Sequence, residues 1–168
     1  GDHAGIGGFY PVVDVVWANH DPAYGRQYLH QLLSHHISGQ MKIAPEHSED
    51  NVLRLMGKPG ISNLDQFSQW FDQINHELGK DQYLTYYLIA AHPGCTDQDM
   101  RSLKRYATHT LRTAPEQVQI FTPTPSTYSS VMYYTGMDPF TYQPVFVEKN
   151  LKRKELQKQI LIGNPQKR

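Results

Sequence analysis

Short apolar runs alternate with amphipathic stretches of helical period along most of this chain, and that alternation constrains the fold more than any other feature. The strand candidates are residues 12–17, 40–44, 83–91 and 117–121. Between the first two, Asp21 and Pro22 supply an N-cap and a first-turn proline for a helix with Tyr24, Tyr28, Leu29, Leu32 and Leu33 on one face. Ser48 or Asp50 caps a short helix carrying Val52, Leu53 and Met56, stopped by Gly57. Asn63, with Gln66 as its capping-box partner, opens a longer helix striped by Leu64, Phe67, Phe71, Ile74 and Leu78. Thr96 and Asp99 cap another, striped by Met100, Leu103, Ala107 and Leu111. Strand–helix–strand repetition of this kind is the signature of right-handed βαβ units, so the expected class is α/β with a parallel sheet. The near-continuous apolar run 83–91 suits a strand covered on both faces.

After Phe121 the alternation stops. Residues 126–147 read as an extended, Tyr- and Pro-rich segment, and Asn150 to Ile162 as a basic helix. That helix is expected to expose its Lys and Arg side chains and to turn Leu151, Ile160 or Leu161 inward. The chain has no net charge, yet residues 149–168 carry a net +6. A basic terminus can contact nucleic acid through phosphates, but no aromatic residues interleave with these charges, so nucleic acid is a minor option beside a solvated face.

A length of 168 residues accommodates one sizeable core. The single cysteine, Cys95, excludes an internal disulfide, a Cys-rich structural zinc site and an iron–sulfur cluster held by this chain alone. No run reaches the roughly 18 consecutive apolar residues of a membrane helix, and no basic-then-apolar leader opens the sequence. The expectation is a cytoplasmic protein with no membrane partner.

The residues just past the strands carry the most informative pattern for chemistry. Ala44-Pro45-Glu46-His47 comes after the second strand, Ala91-His92-Pro93-Gly94 after the third and Thr122-Pro123-Thr124-Pro125 after the fourth. In parallel α/β folds the C-terminal strand ends share one rim, where ligand-binding and catalytic groups collect. Glu46, His47, His92 and Thr122 are therefore expected to converge. Each also has a plain structural role: Glu46 as a helix-start carboxylate, the histidines as backbone-bonded rim residues. Two histidines and a carboxylate resemble a metal triad, but no helical HxxxH or HExxH spacing supports one, and no metal is assigned. Lys42, inside a strand pattern, either binds an anionic group or snorkels. His35 and His36 fall at a helix end, where cations are favoured. Cys95, beside a helix N-terminus, is expected to have a somewhat lowered pKa. Met132-Tyr133-Tyr134 reads as packing.

The stretch from His36 through Lys42 to His47 and the run Leu55-Met56-Gly57-Lys58-Pro59-Gly60 resemble segments of the YgiQ-type radical S-adenosylmethionine proteins. The likeness continues through Gly79-Lys80-Asp81-Gln82, His92-Pro93-Gly94, Pro123-Thr124-Pro125 and Met132 to Pro139, covering roughly residues 21–165. The resemblance implies the later part of a partial (β/α)6, TIM-like barrel in residues 1–125, with the first 16 matching poorly. A C-terminal extension, 126–168, would pack on it. For the parent protein it implies S-adenosylmethionine and a [4Fe–4S] cluster held by a CxxxCxxC loop after the first strand. It places that loop upstream of Gly1, so no cofactor is expected to be stably held by this chain alone, and the missing N-terminal half of the barrel is its expected partner. By the same analogy Lys42, Glu46 and His92 are the expected cofactor contacts, with His47, Thr122 and Thr124 as substrate or rim residues. The substrate and reaction stay open. Two rivals remain: a metal-dependent hydrolase using Glu46, His47 and His92, and a non-catalytic domain binding nucleic acid or protein.

Overall fold

A computed structural model describes residues 22–113, 115 and 117–163. The expected strand at 12–17 and the Asp21 cap lie outside the described residues. Among those described, six helices and three strands succeed one another as α1 (Pro22–His35), β1 (Gln40–Glu46), α2 (Asp50–Met56), α3 (Ser62–Leu78), β2 (Tyr83–Ala90), α4 (Asp97–His109), β3 (Gln117–Ile120), α5 (Tyr128–Thr135) and α6 (Leu151–Ile162). The class is α/β, with a parallel sheet in the order β1-β2-β3. The register of β2 and β3 pairs Tyr87 with Gln117 and Ala90 with Ile120, so both strands end at the same edge. β1 runs on through Pro45 rather than stopping before it. β1 is the outer strand of the described sheet, the position in which a sheet tolerates a proline.

The chain divides into two compact units, one of residues up to Ile43 with Asp65–Thr85, the other of Ala44–Leu64 with the residues from Tyr86 onward. In the first, Leu29, Leu33, Met41, Phe67, Phe71 and Ile74 form the core. Tyr24 and Tyr28 do not join it: both are exposed, because the buried stripe of α1 runs through Gly25, Leu29, Leu32 and Leu33. Lys80 and Gln82 close the C-terminal end of α1. The Lys80 ammonium donates to the carbonyls of Leu33 and Ser34 at 2.7 and 2.6 Å, and Gln82 Nε2 donates to those of Leu33 and Ile37. A cation at that end also complements the helix dipole. The Gly79-Lys80-Asp81-Gln82 run is thus a helix-end latch.

The second unit packs α6 against α4 and β3, over a core that includes Val52, Leu53, Leu88, Met100, Leu103, Met132 and Leu161. α4 starts with the capping box expected for Thr96 and Asp99. α2 is capped by Glu49 instead of Ser48 or Asp50, without a side-chain bond, and ends at Gly57 in the left-handed conformation.

Two expectations for the C-terminal segment need correction. Residues 126–147 are not extended throughout, because α5 forms within them. Thr127 Oγ1 accepts from Ser130 N and Gly136 turns left-handed at the other end, so two caps define a helix that Tyr-rich composition concealed. In α6 the basic face is only partly solvated. Leu161 is inward and Leu151 exposed, while Lys154 is buried, its ammonium 3.2 Å from the Tyr133 hydroxyl and 4.4 Å from the ring centre. An aromatic face accepts a cation there in place of a carboxylate.

Candidate functional site

The rim of the second unit is built where β1, β2 and β3 end. Glu46, the last residue of β1, and Ala91, the first after β2, both adopt left-handed backbone at φ 67 and 59. Non-glycine residues hold that conformation at a cost of roughly 1–2 kcal/mol each, and such strain collects at functional sites. The reversal turns the next side chain in each case inward: His47 and His92 are only 1 % and 3 % exposed.

Each histidine is locked by its hydrogen bonds. Glu49 N–H donates to His47 Nδ1 at 3.1 Å, which puts the ring proton on Nε2, 3.5 Å from Cys95 Sγ. The Cys95 thiol in turn lies 3.7 Å from the Thr96 carbonyl. His92 Nδ1 donates to the Pro93 carbonyl at 2.8 Å, and Nε2 accepts from the Ser129 hydroxyl of α5, also at 2.8 Å. The His92 ring meets Phe121 edge-on at 5.0 Å, and Phe121 meets Tyr133 at 5.9 Å. The strand end after β3 is therefore drawn to His92 through Phe121, while the hydroxyl of Thr122 is turned back to the Ile120 carbonyl at 3.4 Å. Thr124 contributes its carbonyl, which accepts from Thr127 Oγ1 and Ser130 Oγ at the start of α5.

Glu46 stays accessible at the edge. Lys58 Nζ lies 3.3 Å from its carboxylate and donates to the Ala44 carbonyl at 2.9 Å. Burial first, and the Glu46 charge second, raise the pKa of Tyr87. Lys42 sits half-buried on β1 in the first unit.

The electrostatics of the buried cluster are dominated by burial. Desolvation lowers the pKa of His47 to about 4; Asp99 opposes the shift and His92 adds to it. His92 is lowered to about 4 by desolvation, against the bond to Pro93. Cys95 is pushed up to about 12 by burial, with the Asp99 charge adding to the effect. This corrects the expected lowered pKa. The helix N-terminus beside Cys95 is outweighed by desolvation, and the carboxylates of the capping box and first turn disfavour a thiolate further. At neutral pH the cluster is two neutral imidazoles and a thiol, not a thiolate–imidazolium pair.

A metal triad of Glu46, His47 and His92 is not assembled. Both His92 nitrogens are engaged, and no group of three metal-ligating side chains occurs among the described residues. Sequence reasoning missed Lys58, the His47–Cys95 contact and Ser129. The first two are tertiary, and Ser129 lay in the segment read as extended.

The glycines near the rim have definite roles. Gly94 has φ 87, and a Cβ there would come within 2.2 Å of Leu55 Cδ1. Its N–H donates to the Phe146 carbonyl at 2.7 Å. Asp138 Oδ2 receives Arg54 at 3.0 Å while Oδ1 accepts from Phe140 N–H, a set of bonds that holds its carboxyl at about 2. The Met132–Pro139 motif thus fastens the turn after α5 to α2.

Among the described residues no helix is long and apolar enough to cross a membrane. Residues 116–164 match a family model described as a domain of unknown function, DUF3362. A UPF0313 protein of Fusobacterium nucleatum is 63% identical over 141 residues, 84% of this chain and 25% of that protein. One from Methanosarcina acetivorans is 48% identical over 136 residues, 80% of this chain and 18% of that protein. One from Geobacter sulfurreducens is 46% identical over 136 residues, again 80% of this chain, and 22% of that protein. The chain spans 18% to 25% of the length of these relatives. The chain is thus similar to UPF0313 proteins over most of its length, and residues 116–164 match the model of the DUF3362 domain.

Proposed function

We propose that this chain forms the later β/α units and the C-terminal extension of a radical S-adenosylmethionine iron–sulfur enzyme of the cytoplasm. The observation that carries the reading is the rim: a left-handed residue, Glu46 at the end of β1 and Ala91 just past β2, is in each case followed by a buried histidine. Ligand sites of parallel α/β folds gather at such strand ends. The resemblance of residues 21–165 to the YgiQ-type proteins supplies the chemistry.

The side chains present do not fit an iron–sulfur cluster. One buried thiol, protonated at neutral pH, cannot replace several thiolates, so no step at the cluster is assigned to this chain. On this reading the cluster ligands belong to the N-terminal half of the barrel, its proposed partner. Glu46 and His92 in the second unit are proposed cofactor contacts, as is Lys42 in the first, with His47, Thr122 and Thr124 as substrate or rim residues. Of these Glu46, with Lys58 beside it, has the accessible charge; His47 and His92 would shape the wall as neutral rings.

The test compares this chain with the full-length Fusobacterium nucleatum relative, each reconstituted anaerobically with iron and sulfide. The expected result is visible cluster absorption that survives desalting, and 5′-deoxyadenosine from S-adenosylmethionine, for the relative only. A relative that binds no cluster overturns the reading, and so does 5′-deoxyadenosine made by this chain alone.

A further inference from the structure

We propose that the exposed side of α5, with the turn after it, is a binding surface for single-stranded nucleic acid. This inference stands apart from the iron–sulfur reading. α5 presents Tyr128 and Tyr134 to solvent, and the turn after it presents Phe140 and Tyr142; Tyr134 and Tyr142 are 72% and 73% exposed. The rings form two contacting pairs: Tyr128 and Phe140 lie 4.6 Å apart, and Tyr134 meets the half-buried Tyr133 edge-on at 5.4 Å. Exposed rings clustered in this way mark an interaction surface.

Charge selects the ligand class. The Lys149 ammonium lies 3.5 Å from the Tyr134 carbonyl and 5.8 Å from the Tyr133 ring centre, so a cation stands beside the aromatic surface. Lys152 comes next, exposed at the start of α6. The carboxylates of the same stretch are already engaged, Glu148 with Arg153 at 2.9 Å and Asp138 with Arg54. The surface therefore offers flat apolar rings and cations with little opposing charge. Successive bases stacking on aromatic side chains, with phosphates beside lysines, are the chemistry that matches both. The sequence dissociated the two features, because the basic residues lie after the aromatic ones; the turn and the start of α6 bring Lys149 back to α5. The surface lies within the residues matched by the domain of unknown function.

The test is fluorescence anisotropy of the full chain with fluorescein-labelled 15-nucleotide oligothymidine and oligouridine, with a 15-base-pair duplex and heparin as competitors. Single strands should bind and should be displaced poorly by the duplex. Tyr134→Ala with Tyr142→Ala should weaken binding by about a hundredfold, since each base stack contributes roughly tenfold. Circular dichroism and the urea midpoint should stay unchanged. Lys149→Gln with Lys152→Gln should reduce the slope of log affinity against log salt by about 1.4. Absence of binding at low salt overturns the proposal. Equal competition by heparin, with the tyrosine variants unaffected, also overturns it as mere polyanion contact. A dimer in sedimentation that the tyrosine variants dissolve assigns the face to a second copy instead.

Discussion

Acidification from neutral pH should destabilise the second unit before any carboxylate in it titrates, because two histidines are folded into it as neutral rings. His47 and His92 both stand at about 4 in the fold against an ordinary 6.5, each primarily through burial. A folded pKa below the unfolded one means that the unfolded chain binds protons more readily. The stabilising contribution is therefore complete above 6.5 and disappears as pH falls towards 4. At pH 5 linkage puts the loss at about 2 kcal/mol for each ring. The two rings influence one another, so the combined loss is roughly 3–4 kcal/mol, a large part of the ~5–15 kcal/mol typical of a folded domain. With a urea slope of about 2 kcal/mol/M, the midpoint should fall by roughly 1.5–2 M between pH 7 and pH 5. The control is His47→Asn with His92→Asn, since asparagine can accept from Glu49 N–H at one site and donate to the Pro93 carbonyl at the other. The double variant should start less stable and show a much flatter profile. A wild-type midpoint that is flat from pH 7 to 5, or a double variant that keeps the wild-type slope, would refute the assignment.

Three further outcomes rest on contacts in the same unit. Cys95, buried and pushed up to about 12, should resist thiol reagents at pH 8 in the native chain and react fully in urea; rapid native labelling would show that the site opens. Lys154→Met should cost about 1–2 kcal/mol through loss of the contact with the Tyr133 ring and hydroxyl, whereas Tyr133→Phe, which keeps the ring, should cost less than about 1 kcal/mol. A neutral Lys154→Met in chemical denaturation would mean that the aliphatic stem does the packing. Gly94→Ala should destabilise by roughly 1–3 kcal/mol, because left-handed backbone strain is added to a displacement of Leu55, and Leu55→Ala in the same chain should recover part of any steric share.

The parts of this fold legible in the sequence are those decided locally. Thr96 and Asp99 are three residues apart and form their capping box without help from the rest of the chain. The strand runs at 83–91 and 117–121 persist nearly as read, and their alternation with helices pointed to the parallel sheet. Where burial decides, the reading failed. Tyr24 and Tyr28 share a helical face with leucines on paper, yet the buried side of α1 runs through Gly25, Leu29, Leu32 and Leu33. Lys154 looked solvated because nothing in its own helix says that Tyr133 is near. The lowered thiol pKa expected of Cys95 rested on helix position alone, while its desolvation depends on residues far away in sequence. α5 escaped because its caps, Thr127 and Gly136, bracket residues that composition assigned to a loop.

The same tertiary contacts settle which groups at the rim can act on a ligand. Residues after 125 close over the strand ends: Ser129 holds His92, Phe146 receives the Gly94 N–H, and Gln157 Nε2 lies 3.4 Å from the Cys95 carbonyl. Each of these bonds ties down a polar group that a ligand at the strand ends could otherwise have used. His92 has no nitrogen left to offer, and His47 and Cys95 spend their polar atoms on one another and on neighbouring backbone. Charge at the rim therefore resides in Glu46 and Lys58, whose 3.3 Å separation is partly exposed and leaves both groups able to exchange partners. Breaking such a pair costs little in the folded chain, because exposed ion pairs contribute at most about 1 kcal/mol. Glu46→Gln or Lys58→Met should accordingly leave the urea midpoint almost unmoved while altering ligand binding. Replacing either histidine should act first on stability.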